Sequence, residues 1–144
     1  MSAIEILIAE DNEDDIVLIR EALSEVWDTD GLHVVRDGVE ALAYLRRKGR
    51  YRRARRPGLV VLDLNMPGKD GFQVLKEMKE DPSLRHIPVI VLTTSDRETD
   101  IVRSYSQGAC SFITKPSRFD EFREIVEQFA LYWYLVARIP TSGR

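Results

Sequence analysis

Glu10, Asp11, Asp63, Thr93 and Lys115 each fall at the end of a short apolar run or just beyond it. Three carboxylates, a hydroxyl and an ammonium converging on one place suit a particular chemistry. Crowded carboxylates repel one another, and a hard divalent cation bound through oxygens relieves that repulsion. Mg²⁺ prefers one or two carboxylates supplemented by water and phosphate oxygens. The set therefore points to Mg²⁺ and a phosphoryl group. Singly, each residue has an ordinary role: Asp63 a cap or turn former, Glu10 and Asp11 favourable charges at a helix start, Lys115 a surface lysine. The chemistry rests on their meeting.

The positions are far apart in sequence, so the intervening elements must bring them together. Residues 4–9 (IEILIA) read as a buried strand ending at the acidic cluster 10–15. Ile16, Val17, Ile19, Leu23 and Val26 then recur at helical spacing, with Asn12 or Asp11 available as cap. Residues 32–36 form a second strand, and Asp37 with Glu40 resembles a capping box opening a helix to about Arg47. Residues 59–62 are apolar on both faces, as the centre of a parallel sheet requires, and Asp63 stands at their carboxyl end. A helix from Phe72 ends at Pro82, and residues 89–93 are the fourth strand. Ser95 with Glu98 predicts a capped fourth helix, residues 111–114 a fifth strand, and Ser117 the cap of a last helix over 118 to about 138, before a closing turn over 140–143. Five alternating strand–helix units predict an α/β fold, a doubly wound five-stranded parallel sheet with five helices. In such sheets ligands bind beyond the carboxyl ends of the strands, where strand order reverses.

Glu10-Asp11, the segment D-L-N-M-P-G-K-D-G over 63–71, Thr93 and Lys115-Pro116 together resemble the signature of the response-regulator receiver domain, which has a flavodoxin-like fold. The match spans residues 4 to about 130. The resemblance implies that Asp63 accepts a phosphoryl group from the phosphohistidine of a sensor histidine kinase. Asp11, Asp63 and the backbone carbonyl of Asn65 then bind Mg²⁺ directly, and Glu10 binds it mainly through water. Lys115 pairs with one phosphoryl oxygen and Thr93 with another. It further implies a switch in which Thr93 and Phe112 change position, and an activity limited to the chain's own phosphorylation and dephosphorylation. The phrase V-L-D-L-N-M-P-G-K-D-G, the L-T-T-S end of strand four, the long loop before strand three and the aromatic last helix are similar to stand-alone regulators of bacterial and cyanobacterial phytochrome kinases.

Other classes fit less well. A haloacid-dehalogenase-like phosphohydrolase needs a second Asp two residues after its nucleophile, and Asn65 stands there. A flavin site needs a Ser/Thr/Gly-rich phosphate loop after strand one, which is missing. A scaffold with a vestigial pocket is disfavoured because every pocket residue is present.

The 144 residues are 44% hydrophobic and 31% charged with a net charge of −3, which suits one globular domain without a polyanionic partner. No apolar run is long enough to span a bilayer, and acids stand where a signal peptide needs an apolar core, so a cytoplasmic location is expected. The single Cys110 reads as packing beside a strand; His33 and His86 lack metal-spaced partners. Residues 46–56 (RRKGRYRRARR) read as a solvated, mobile loop rather than a docking surface for an acidic partner or nucleic acid, and no specific DNA binding is expected. In the last helix Phe119, Phe122, Val126, Phe129, Trp133 and Val136 form one stripe; Ile125, Tyr132 and Leu135 lie on its neighbour. Packing one stripe leaves the other apolar, which predicts a homodimer through this helix. About 14 residues beyond a receiver's usual last helix are too few for an effector domain. The reading is thus a single receiver domain over 1–144 whose output is a binding event.

Overall fold

The structure, a computed structural model, describes residues 4–140. Five strands alternate with five helices as β1 (Ile6–Ala9), α1 (Glu13–Ser24), β2 (Leu32–Val35), α2 (Gly38–Arg46), β3 (Leu59–Leu62), α3 (Gly71–Glu80), β4 (Val89–Thr93), α4 (Glu98–Ser106), β5 (Ser111–Thr114) and α5 (Phe119–Leu131). All neighbouring strands are parallel, in the order β2-β1-β3-β4-β5.

Period-two alternation divides the strands between two cores. Ile6, Ile8, Leu59, Val61, Ile90 and Leu92 face α1 and α5, which contribute Ile19, Leu23, Phe122 and Val126. Leu7, Ala9, Val60, Leu62, Val89 and Val91 face the opposite layer, which includes Leu42, Leu45, Val74, Leu75 and Met78 of α2 and α3. β1, β3 and β4 are buried on both faces, which accounts for their Val/Ile/Leu-rich composition, broken only by Ala9 and Thr93 at the ends of β1 and β4.

Three helices begin on acid or amide side chains, the first two as their sequences suggest: Asn12 accepts from Asp15 N–H at 3.0 Å, Asp37 from Glu40 N–H at 2.8 Å and Asp70 from Gln73 N–H at 2.9 Å. The other two depart from expectation. Arg97 and Arg118 occupy the cap positions of α4 and α5 without a side-chain cap bond, in place of Ser95 and Ser117. The Ser95 hydroxyl donates to the charged Asp100 Oδ2 at 2.6 Å, and its oxygen accepts from Arg97 N–H at 3.3 Å, one residue ahead of the helix.

The last helix also differs. Its α-helical part stops at Leu131, and Tyr132–Val136 form a wider π turn in which Ala137 N–H donates to the Tyr132 carbonyl at 2.8 Å. This turn sets Tyr134 edge-on to Trp27, with ring centroids 5.2 Å apart. Phe122, Val126, Phe129 and Ala130 are buried, whereas Phe119 and Val136, expected on the packing stripe, are 63% and 67% exposed. The sheet is covered before the stripe reaches either end. Residues 141–143 of the expected closing turn lie outside the described residues.

The basic segment is largely solvated, as expected, and several of its arginines are paired. Residues 49–51 form a 3₁₀ turn. Arg50 pairs with Glu40, which also accepts from the Tyr51 hydroxyl at 2.5 Å. Arg56 Nε donates to the Leu45 carbonyl at 3.2 Å, and Arg46 pairs with Glu77 at 3.1 Å. Cys110 is exposed rather than packed, its thiol donating to the Val89 carbonyl at 3.2 Å. No helix among the described residues is long and apolar enough to cross a membrane.

Candidate functional site

β1 has β2 on one side and β3 on the other, so chain direction across the sheet reverses between β1 and β3. Glu10 and Asp63 are the first residues past those two strands. The ladder continues through them: Asp63 N–H donates to the Ala9 carbonyl and Glu10 N–H to the Val35 carbonyl, each at 3.0 Å. Both side chains are buried at the crevice, Glu10 2% and Asp63 6% exposed.

Two glycines allow the surrounding loops to close on Asp63. A Cβ on Gly71 would lie 2.4 Å from the Asp63 carbonyl oxygen, and one on Gly38 only 1.9 Å from the Lys69 carbonyl oxygen. Side chains at either position would push α3 or α2 off the loop that carries Asn65. Lys69 reinforces that loop through Glu77 at 2.7 Å.

Carboxylate oxygens of Glu10, Asp11 and Asp63 all lie within 4.8 Å of one another, with Asp11 open to solvent. One Glu10 oxygen accepts from Asn12 N–H at 3.1 Å, and Asp63 Oδ1 accepts from Asn65 N–H at 3.1 Å. Lys115 enters from the end of β5, where its N–H donates to the Thr93 carbonyl at 2.6 Å. Its buried ammonium donates to Glu10 Oε1 at 2.6 Å, Asp15 Oδ2 at 2.8 Å and Asp63 Oδ2 at 3.0 Å.

One ammonium leaves the acids under-neutralised. Burial, then the charge of Asp63, raises the Glu10 carboxyl to about 7 despite the opposing pull of Lys115. Burial alone would depress Lys115, but its hydrogen bonds to Asp15 and Glu10, with the charge of Asp63, outweigh it and raise that ammonium above its ordinary value. An all-oxygen donor set with surplus negative charge fits a hard divalent cation.

Thr93 is fully buried, its hydroxyl accepting from Ser95 N–H at 3.4 Å. Phe112 lies half-buried on β5 and packs against the α2–α3 side of the core. Its N–H donates to the Tyr105 hydroxyl of α4 at 3.1 Å. The structure thus brings together Glu10, Asp11, Asp63, Asn65 and Lys115, while Thr93 and Phe112 stand on the neighbouring strands. Sequence reasoning missed Asp15 and Tyr105. Asp15 lies three residues after a capping Asn, where an acid is expected to serve the helix start, and that disguised it.

The profile of the response regulator receiver domain matches residues 6–127. The chain belongs to the response-regulator receiver family. Receiver proteins similar to it include Response regulator Rcp1 of Synechocystis, 37% identical over 137 residues, or 95% of this chain and 93% of that one. The probable methanogenesis regulatory protein FilR2 of Methanothrix harundinacea is 40% identical over 94% of this chain and 86% of its own. Among solved structures, the phosphorylated cyanobacterial phytochrome response regulator RcpA superposes with a TM-score of 0.93 at 44% identity, covering 97% of this receiver and all of that chain. The Mn²⁺-bound form of Rcp1 gives 0.91 at 37% identity over 96% of this chain and all of its own. The receiver is thus a signalling protein related to phytochrome response regulators.

Proposed function

We propose that this receiver takes a phosphoryl group on Asp63 from the phosphohistidine of a sensor histidine kinase, a phytochrome kinase by its relatives, in a Mg²⁺-dependent reaction. A carboxylate oxygen of Asp63 forms an O–P bond as the N–P bond of phosphohistidine breaks. The electron pair goes to the imidazole nitrogen, which gains a proton from solvent. Water later attacks phosphorus, the O–P bond breaks, and inorganic phosphate leaves the carboxylate restored.

The observation that carries this reading is that Lys115 meets Asp63 and Glu10, which with Asp11 place three carboxylate oxygens within 4.8 Å of one another. Phosphoryl transfer through a loose transition state needs positioning and neutralised oxygen charge more than acid–base chemistry. Asp11, Asp63 and the Asn65 carbonyl would hold Mg²⁺, with Glu10 assisting through water, and the bound ion would supply positive charge for the phosphoryl oxygens. Lys115 binds one phosphoryl oxygen, and Thr93 turns its hydroxyl from Ser95 toward another. Phe112 follows by repacking, which alters the α4–β5 surface where Tyr105 holds its amide.

Within these 144 residues the output is a change of binding, with no specific DNA recognition. The partner we propose is a second copy, docked on the last turn. Leu131, Tyr132, Tyr134, Leu135 and Val136 there are each about half or more exposed, and a twofold pair covers both strips at once. The cytoplasm is the proposed location.

Phosphotransfer from a panel of autophosphorylated histidine kinases tests the reading, with Asp63→Asn as control. Label is expected on the parent and absent from the variant. Label persisting on Asp63→Asn would reject Asp63 as acceptor.

A further inference from the structure

Asp15 belongs to α1, and among the described residues its carboxylate is the one partner of the Lys115 ammonium outside the group of oxygens that could hold a cation. An acid at the third helical position commonly reaches back to the amide of the cap residue. Here that amide, Asn12 N–H, is already bonded to Glu10 Oε2 at 3.1 Å. The Asp15 carboxylate is therefore free for Lys115, at 2.8 Å, with its side chain only 18% exposed.

The three protons of the Lys115 ammonium are shared among Glu10, Asp15 and Asp63, and two of these acceptors belong to the cation group. When a cation draws on Glu10 and Asp63, their hold on the ammonium weakens. Asp15 alone keeps its full charge directed at Nζ. A lysine stem is flexible, and its ammonium has no fixed fork to set its own direction. Something must hold it over Asp63 while the phosphoryl group arrives.

We infer that Asp15 is a positioning residue for Lys115, fixing the ammonium beside Asp63 when metal and phosphoryl group claim the other two carboxylates. The inference rests on Asp63 as acceptor. Asp15 touches neither the phosphoryl group nor the cation; it acts through Lys115. Removal of such a supporting partner costs about ten- to a hundredfold in activity.

The test compares Asp15→Ala, Asp15→Asn and Asp15→Glu with the parent at a temperature well below unfolding. Three properties are measured: phosphoryl uptake from phosphoramidate at saturating Mg²⁺, Mg²⁺ affinity by calorimetry, and the ¹H–¹⁵N signal of the Lys115 ammonium without metal. In Asp15→Ala the limiting uptake rate is expected to fall about ten- to a hundredfold, with half-saturation by donor and Mg²⁺ affinity retained. The ammonium signal should broaden into rapid exchange with water. Asp15→Asn falls between, and Asp15→Glu restores both rate and signal in part. A merely structural role at the start of α1 would lower thermal stability and leave limiting rate and Lys115 signal alone, which overturns the inference. Parent-like uptake by Asp15→Ala overturns it equally, with Asp63 still the acceptor. A parent that takes no phosphoryl group removes the reading of Asp63 and this inference with it.

Discussion

Lys115 Nζ stands 3.0 Å from Asp63 Oδ2 across 52 residues of chain, with both side chains under a tenth exposed. The pair exists because β3 and β5 end at the same edge of the sheet, and the ammonium reaches past β4 to the crevice between β1 and β3. Its energetics follow from burial: a shielded cation among carboxylates is costly to remove, whatever its net worth when present.

Replacement of Lys115 by Ala therefore leaves Glu10, Asp15 and Asp63 without a cation. At pH 8 the loss is expected to reach about 3–5 kcal/mol, the range for breaking a buried pair. Millimolar Mg²⁺ should recover part of it by neutralising the same oxygens. Urea unfolding with and without Mg²⁺ measures both; a variant as stable as its parent contradicts the description of the site.

Glu10 makes cation binding depend on pH. Its folded, metal-free carboxyl lies at about 7 against an ordinary 4.5, because of burial and the charge of Asp63. Between those values the folded chain holds more protons than the unfolded one, so this group's contribution to stability is present below 4.5 and lost as pH rises through 7. A cation gains what the proton loses. Mg²⁺ affinity should be about tenfold tighter at pH 8 than at pH 6, with net proton release in between. Calorimetry in buffers of different ionisation enthalpy reads this, and equal affinity at the two values would contradict it.

The exposed strip over 131–136 predicts self-association. Sedimentation at micromolar concentration should show a dimer, and Leu135→Glu should shift it to monomer without loss of fold, since Leu135 is 69% exposed. A parent that sediments as monomer with and without a phosphoryl mimic contradicts the proposed pairing.

Much of this was readable from residues alone, for identifiable reasons. The strands announce themselves because doubly buried β1, β3 and β4 must be almost wholly apolar, and the acids of the site, ordinary one by one, announce themselves by standing together at strand ends with Lys115. What escaped were choices between competing partners. Asp15 could serve the helix start or Lys115, and the outcome depends on which donor the fold brings near. The arginines over 46–56 read as solvated, and most are, but the pairing of Arg46 with Glu77 was hidden because that acid comes close only once α2 and α3 pack. The π turn at Tyr132–Val136 answers to Trp27, more than 100 residues earlier, which no helical period foretells.

The central claim is that one aspartate carries an acyl phosphate, and its most direct test is chemical mapping of the modified residue. The receiver is phosphorylated in Mg²⁺, reduced with borohydride and digested, and homoserine is sought by mass spectrometry. The account predicts homoserine at position 63 alone, absent without Mg²⁺. Homoserine at Asp11 or another carboxylate, or none with label still bound, would contradict it.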